Sequence, residues 1–185
     1  MALTALSATI RLQTNWTVEK STSGMSNTPH TQSIAKSIAF TTGVGANQCN
    51  QLYAATRTLA AGATENLDLA GSLTDLVGQT SIAFARVKAI QVRLLSASET
   101  AADGTTVGTA CSSITIGGAA SAQAALFFAD VSDKHKIYNG GFYAAACGTA
   151  AGVTVTATTA DLLKVNNDDG AVAAVYEIVL IGAET

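Results

Sequence analysis

Two histidines, three cysteines and 23 charged side chains, 13 acidic and 10 basic, are the residues of this 185-residue sequence with types suited to chemistry. His30 stands in NTPHTQ and His135 in DKHK. A zinc site needs about four converging ligands, and neither histidine has cysteine, carboxylate or histidine companions at a familiar ligand spacing. Cys49, Cys111 and Cys147 are widely separated in QCN, ACS and ACG contexts with no CxxC pair, which reads as reduced, buried thiols in a reducing compartment. No segment resembles the GxSxG turn of a serine nucleophile. GVGANQ and IGGAAS carry glycines without the lysine or acidic residue that accompanies a phosphate cradle, so they read as turns. Asp161, Asp168 and Asp169 could attract a hard cation, but NNDDG is too short for a calcium loop and lacks its distal glutamate. Asn15-Trp16-Thr17 fits the glycosylation pattern but falls inside an expected strand. The expectation is therefore no catalytic residue, no cofactor and no metal.

Arg86, Lys88 and Arg93 form the densest basic run. They fall on both parities of an expected strand and the isoelectric point is near 5.2, whereas a nucleic-acid face is coherently basic. They read as a charged rim or as cations meeting an acidic partner protein. Arg11, Gln13 and Asn15, polar residues of the first strand, join them as candidate partner contacts.

The elements that would position these residues are strands. In LSATIRLQTNWTV, Leu6 to Val18, apolar residues occupy Leu6, Ala8, Ile10, Leu12, Trp16 and Val18, and only Thr14 breaks the period of two. The run is about twice the usual strand length. It reads as a strand whose dry face packs on the core and whose excess length serves a neighbour. Residues 20–32, with the only proline at Pro29, read as a polar linker, so the expected division is an arm and linker over 1–32 and a β domain over 33–185.

Further strands are expected around Ile34–Phe40, over LYAATRTL and over SIAFARVKAIQVRLL. Shorter ones follow in SSITIG, AALFFAD, VTVTATT and DLLKV, and in a pair around Asn139-Gly140. NNDDG reads as a hairpin turn leading to AVAAVYEIVLIG, which is apolar on both faces and so reads as central. Eight to ten strands without a convincing amphipathic helix predict an all-β fold, a single β-sandwich or jelly-roll-like domain with an extended N-terminal strand.

Composition bears on surface. The chain has 36 Ala and 25 Thr but only 12 % charged residues, against about 25 % in an ordinary soluble domain. A hydroxyl-coated monomer is one reading, and burial of much of the surface in an oligomer is the other. No run reaches the ~18 apolar residues of a membrane span, and MALTALSATIR lacks the pattern of a cleaved leader. With 5 % aromatic residues and a single Trp, a carbohydrate-binding platform has little material.

The segments YAATRTLAAGATENLDLAGSLTDLVGQTSIAFARVKAI and TADLLKVNNDDGAVAAVYEIVLIGA, within residues 50–182, resemble small structural proteins encoded among the virion genes of tailed bacteriophages. The matching features are Arg57-Thr58-Leu59, Leu67-Asp68-Leu69 with Gly71, Phe84 to Lys88, and Ile178 to Gly182. The resemblance implies a non-enzymatic, β-rich virion component similar to capsid decoration or cement proteins. It would be a homo-oligomer, with a trimer as the analogy, bound to a major capsid protein, free of nucleic acid and membrane, and folded in the bacterial host cytoplasm. A tail or fibre component, including a carbohydrate-binding β module, is the alternative.

Overall fold

The computed structural model describes residues 5–19, 29–71, 73–76 and 78–184, and within them the protein is all-β, with antiparallel sheets packed as a sandwich. Twelve strands form three sheets. The first pair is a hairpin of β1 (Ala8–Glu19) and β2 (Pro29–Thr42), whose register runs from Ala8 opposite Phe40 to Glu19 opposite Pro29. A short β3 (Gln48–Cys49) adds in parallel to Thr41 and Thr42.

The main sheet is built on β12 (Ala174–Ala183), which lies between β4 (Gln51–Leu59) and β6 (Arg86–Leu94). The other edge of β6 carries β9 (Phe142–Ala146) and β10 (Val153–Thr154). The second sheet has the order β5 (Thr64–Asp68), β11 (Leu162–Asn167), β7 (Ser113–Gly117), β8 (Lys134–Tyr138).

Alternation explains the packing. Leu163 and Val165 of β11, Ile114 and Ile116 of β7, Ile90, Val92 and Leu94 of β6, and Tyr176, Ile178 and Leu180 of β12 fill one buried core between the two sheets. Each such side chain, fully withdrawn from water, contributes roughly 1.5–3 kcal/mol before the entropy of ordering is counted. The expected central position of the last strand is correct: β12 is paired on both edges, and both Tyr176 and Ile178 are buried.

The main sheet is covered on its second face as well. Phe40, Cys49, Ala89 and Ile181 form a separate buried cluster against which Leu6, Ala8, Ile10, Ile38, Leu52, Ala146 and Val179 pack. The root of the β1–β2 hairpin is therefore a third layer over β6, β9 and β12, closed by Thr42 Oγ1, which accepts from Leu6 N at 2.8 Å.

Four local expectations are corrected. Pro29 to Gln32 is strand and not linker, because His30, Thr31 and Gln32 pair with Val18, Thr17 and Trp16, so position 32/33 falls inside β2; residues 20–28 lie outside those described. AALFFAD is not a strand: Phe127 has φ +56, and the segment packs on the core through the buried Ala124 and Leu126 with the part-buried Phe127 and Phe128 beside them. VTVTATT keeps just two strand residues, Val153 and Thr154.

Finally, NNDDG makes no hairpin, because it passes the chain from the second sheet to the main one; the pair of strands expected around Asn139-Gly140 is present as β8 and β9, which lie in different sheets. The buried Asn167 explains the first. Its Nδ2 donates to the carbonyls of Leu59, Ala60 and Val172 at 2.8–3.2 Å, while Oδ1 accepts from Asp169 N, which binds the turn to both sheets. At the second, Asn139 Nδ2 is held by the Cys111 carbonyl at 3.0 Å, and Gly140 takes φ +67.

Candidate functional site

Beyond its root the hairpin leaves the domain. The pairs Gln13/Ala35 to Val18/His30 are exposed on both faces apart from the half-buried Trp16. Directly opposed residues share a face in an antiparallel ladder, so Leu12, Trp16 and Val18 of β1 lie with Ile34 of β2 on the continuation of the face that packs at the root. Leu12, Val18 and Ile34 are 52, 56 and 69 % exposed. The dry face read from the sequence is thus buried only as far as Ile10, and its outer part, in water, mixes Leu12, Trp16, Val18 and Ile34 with Thr14, His30, Gln32 and Lys36. The opposite face carries Arg11, Gln13, Asn15 and Thr17, with Gln13 Nε2 donating to Asn15 Oδ1 at 2.8 Å and the Thr17 and Thr31 hydroxyls 3.0 Å apart.

Where the arm leaves the domain it overhangs a cleft of about 360 Å³. One wall is β1, with Ile10, Arg11, Leu12 and Gln13; the other is Gln91 and Arg93 of β6 with Gly140, Phe142 and Ala144. Phe142 is 58 % exposed. A smaller adjoining cavity of about 160 Å³ is lined by Ile10, Leu12, Ile38 and Ala144 to Ala146, with Lys36.

Of the residues singled out from the sequence, Arg11, Gln13 and Arg93 are brought together in this cleft, and Asn15 lies next along the arm. Arg93 is already paired, its Nε 2.6 Å from Glu177 Oε2 and its Nη1 3.8 Å from Glu99 Oε1. Arg86 lies apart, donating to the Ala150 carbonyl at 3.3 Å.

Lys88 is a correction, because it presents no charge to a partner. It is fully buried, and its ammonium donates to the carbonyls of Val44, Gly45 and Gln48 at 3.0, 2.6 and 2.7 Å. The cause is a register shift: Ile181 pairs with Ala89 but Gly182 with Val87, so Lys88 is an extra residue turned out of the ladder toward the loop between β2 and β3. Burial lowers its pKa, helped by Arg86. Sequence reasoning placed Lys88 by simple alternation, which a bulge breaks.

The residues with catalytic potential are held elsewhere. Burial pushes the Cys49 thiol up, against the opposing charge of Lys88, and burial likewise pushes up the Cys111 thiol. Among the described residues no group of three or more His, Cys, Asp or Glu is placed to hold a metal ion. No helix of the described residues is long and apolar enough to cross a membrane.

A part-buried polar cluster joins the two sheets. Glu65 of β5 accepts from Tyr176 Oη at 2.7 Å through Oε1 and from Arg57 Nε at 3.0 Å through Oε2, with Arg57 Nη2 closing the same ion pair. Burial raises the Tyr176 pKa, reinforced by its bond to Glu65. Both Glu65 oxygens are occupied, which suits a structural clamp; this is the place in the fold of the Arg57 that carries part of the phage resemblance.

Comparison with family models, with curated proteins and with solved structures gives no match for this chain.

Proposed function

We propose that this chain is a non-enzymatic structural protein of a virus particle, a decoration or cement protein that binds a tailed-phage capsid as a homo-oligomer and stabilises the shell. The observation that carries the reading is the β1–β2 arm: among the described residues, a long ladder anchored at its root and uncovered on both faces beyond it, with Leu12, Val18 and Ile34 exposed on one. An isolated two-stranded hairpin is marginal in water, so an arm of this kind gains its stability from what it binds. Exposed strand edges favour the same use, since among the described residues β1 has no partner on its outer edge and β2 pairs on its second edge only at Thr41 and Thr42. The low charge of the chain and the resemblance of residues 50–182 to phage virion proteins point the same way.

A joining protein adds a modest free energy at each contact, and repetition over a lattice multiplies it while another protein sets the architecture. Particles lacking the chain therefore assemble but break at lower temperature, and removing residues 1–19 reproduces part of that loss, with circular dichroism confirming that the domain stays folded. Labelled electron microscopy is expected to find the protein on heads. Location at the tail tip, or loss of adsorption with heads as robust as before, refutes the cement reading and favours the fibre alternative.

A further inference from the structure

We propose that the outer face of the second sheet is a docking surface for an acidic segment of the protein this chain binds, with Lys134 and Lys164 gripping a carboxylate between them. The inference rests on the proposed function, whose shell partner it characterises, and uses a surface other than the arm.

The ladder sets the geometry. Ile137 of β8, Ile114 and Ile116 of β7, and Leu163 and Val165 of β11 are buried in the core, so Lys134, Lys136 and Tyr138, Thr115, and Lys164 and Asn166 lie on the opposite face. Lys134 pairs with Gly117, and Lys164 stands just before the Val165/Ile116 pair, beside the same glycine. The two lysines thus flank one residue without a side chain, their Cα atoms about 10 Å apart. That residue has to be glycine, because its φ is +91 and a Cβ would stand 2.5 Å from the Asp133 carbonyl oxygen. The gap is a depression of about 300 Å³ lined by Thr115, Gly117, Lys134, Lys164, Asn166 and Asp168.

Charge decides the occupant. Among the described residues neither Lys134 nor Lys164 is ion-paired. The carboxylates nearby are committed. Asp168 accepts from the Ser113 and Thr115 hydroxyls and from Asn166 Nδ2, and it pairs with Lys136 at 3.3 Å. Asp68, at the β5 end of the face, accepts from Ala70 N, while Asp130 and Asp133, in the turn before β8, accept from Ser132 N and Asp130 N. Two like charges facing one gap repel, and an anion set between them relieves the repulsion. Two cations on a chain of net charge −3 are too few for a nucleic-acid backbone, whereas a carboxylate side chain fits them. Tyr138, 67 % exposed with Lys136 Nζ 5.8 Å from its ring centre, adds an aromatic contact on the same face. The basic run offered by the sequence for an acidic partner is spent within the fold: Arg93 on Glu177, and Lys88 and Arg86 on carbonyl groups.

The test measures binding of the full chain to heads prepared without it. Lys134→Gln with Lys164→Gln weakens binding by about 3- to 30-fold and flattens its dependence on salt, whereas Lys134→Arg with Lys164→Arg keeps both. Circular dichroism confirms that both double variants are folded. In amide NMR of the wild type, an oligo-aspartate peptide shifts Lys134, Lys164 and Gly117, and the double Gln variant loses these shifts. The same shifts with inorganic phosphate but not with the peptide mark a small-anion site and overturn the inference. Equal binding of heads by the wild type and the folded double Gln variant overturns it and leaves the cement reading intact. A chain that leaves heads unbound but shows the peptide shifts does the reverse.

Discussion

Lys88→Met removes the ammonium that ties the β2–β3 loop to the main sheet while keeping the length and most of the volume of the side chain. The three carbonyls it serves lose a charged donor, at 3.0, 2.6 and 2.7 Å. Gly45 O keeps a second partner, Gln48 N at 3.2 Å, so the loss falls hardest on Val44 O and Gln48 O. Val44 is 41 % exposed, so water can replace the ammonium there, and the cost of a stranded acceptor, about 1–3 kcal/mol, falls on Gln48 O. The variant no longer desolvates a cation, which returns part of that cost, and the net loss comes to about 1–2 kcal/mol. In a chain of this size each kcal/mol moves the melting temperature by about 2–4 °C. Urea titration reads the global effect, and amide exchange over residues 43–48 reads the local one. Because this loop leads from the arm to β4, the arm's root loses protection with it. Unchanged stability together with unchanged loop protection would refute the view that Lys88 is a structural tie and would free it for another role.

Two further outcomes follow from the core and its titration. Ile178→Asp places a carboxylate between the sheets on the central strand, which costs several kcal/mol or prevents folding; a soluble variant with wild-type melting would show that β12 is not the axis of the core. Stability falls as pH rises above about 9–10, because burial raises the Tyr176, Tyr53, Cys49 and Cys111 pKa values in the fold, so the unfolded chain releases protons the folded one retains. Each such group steepens the decline by at most about 1.4 kcal/mol per pH unit, read from denaturant midpoints between pH 8 and 11. A flat profile would contradict the buried, protonated state of these groups.

Alternation made much of the fold legible. The central position of β12 could be read because Val172 to Ile181 is apolar on both parities, and β1 could be traced because thirteen residues kept one period with a single break at Thr14. What alternation cannot tell is how far a partner surface extends: Leu12 and Ile10 look alike in sequence, yet one meets water and the other the hairpin root. Turn residues misled for a related reason. Asn and Gly report backbone conformation, while the choice between a hairpin and a crossing to the other sheet rests on long-range bonds such as that of Asn167 to Leu59 O. The candidate contacts were half legible: Arg11, Gln13 and Arg93 meet in one cleft, whereas Lys88 was hidden by a bulge that leaves no mark in the local pattern.

The position of β12 also sets a timetable. It is the last of the described strands, yet it is the partner of both β4 and β6, and Ile181 is part of the cluster on which the arm's root sits. β1 and β2 precede β12, so during synthesis the hairpin emerges before the strand that anchors it. Without β12 there is neither a closed core nor a seated arm. Pairings this distant in sequence make folding slow compared with a helical protein of the same length. Seating of the arm then waits on β12, and the same strand closes the core and anchors the hairpin's root.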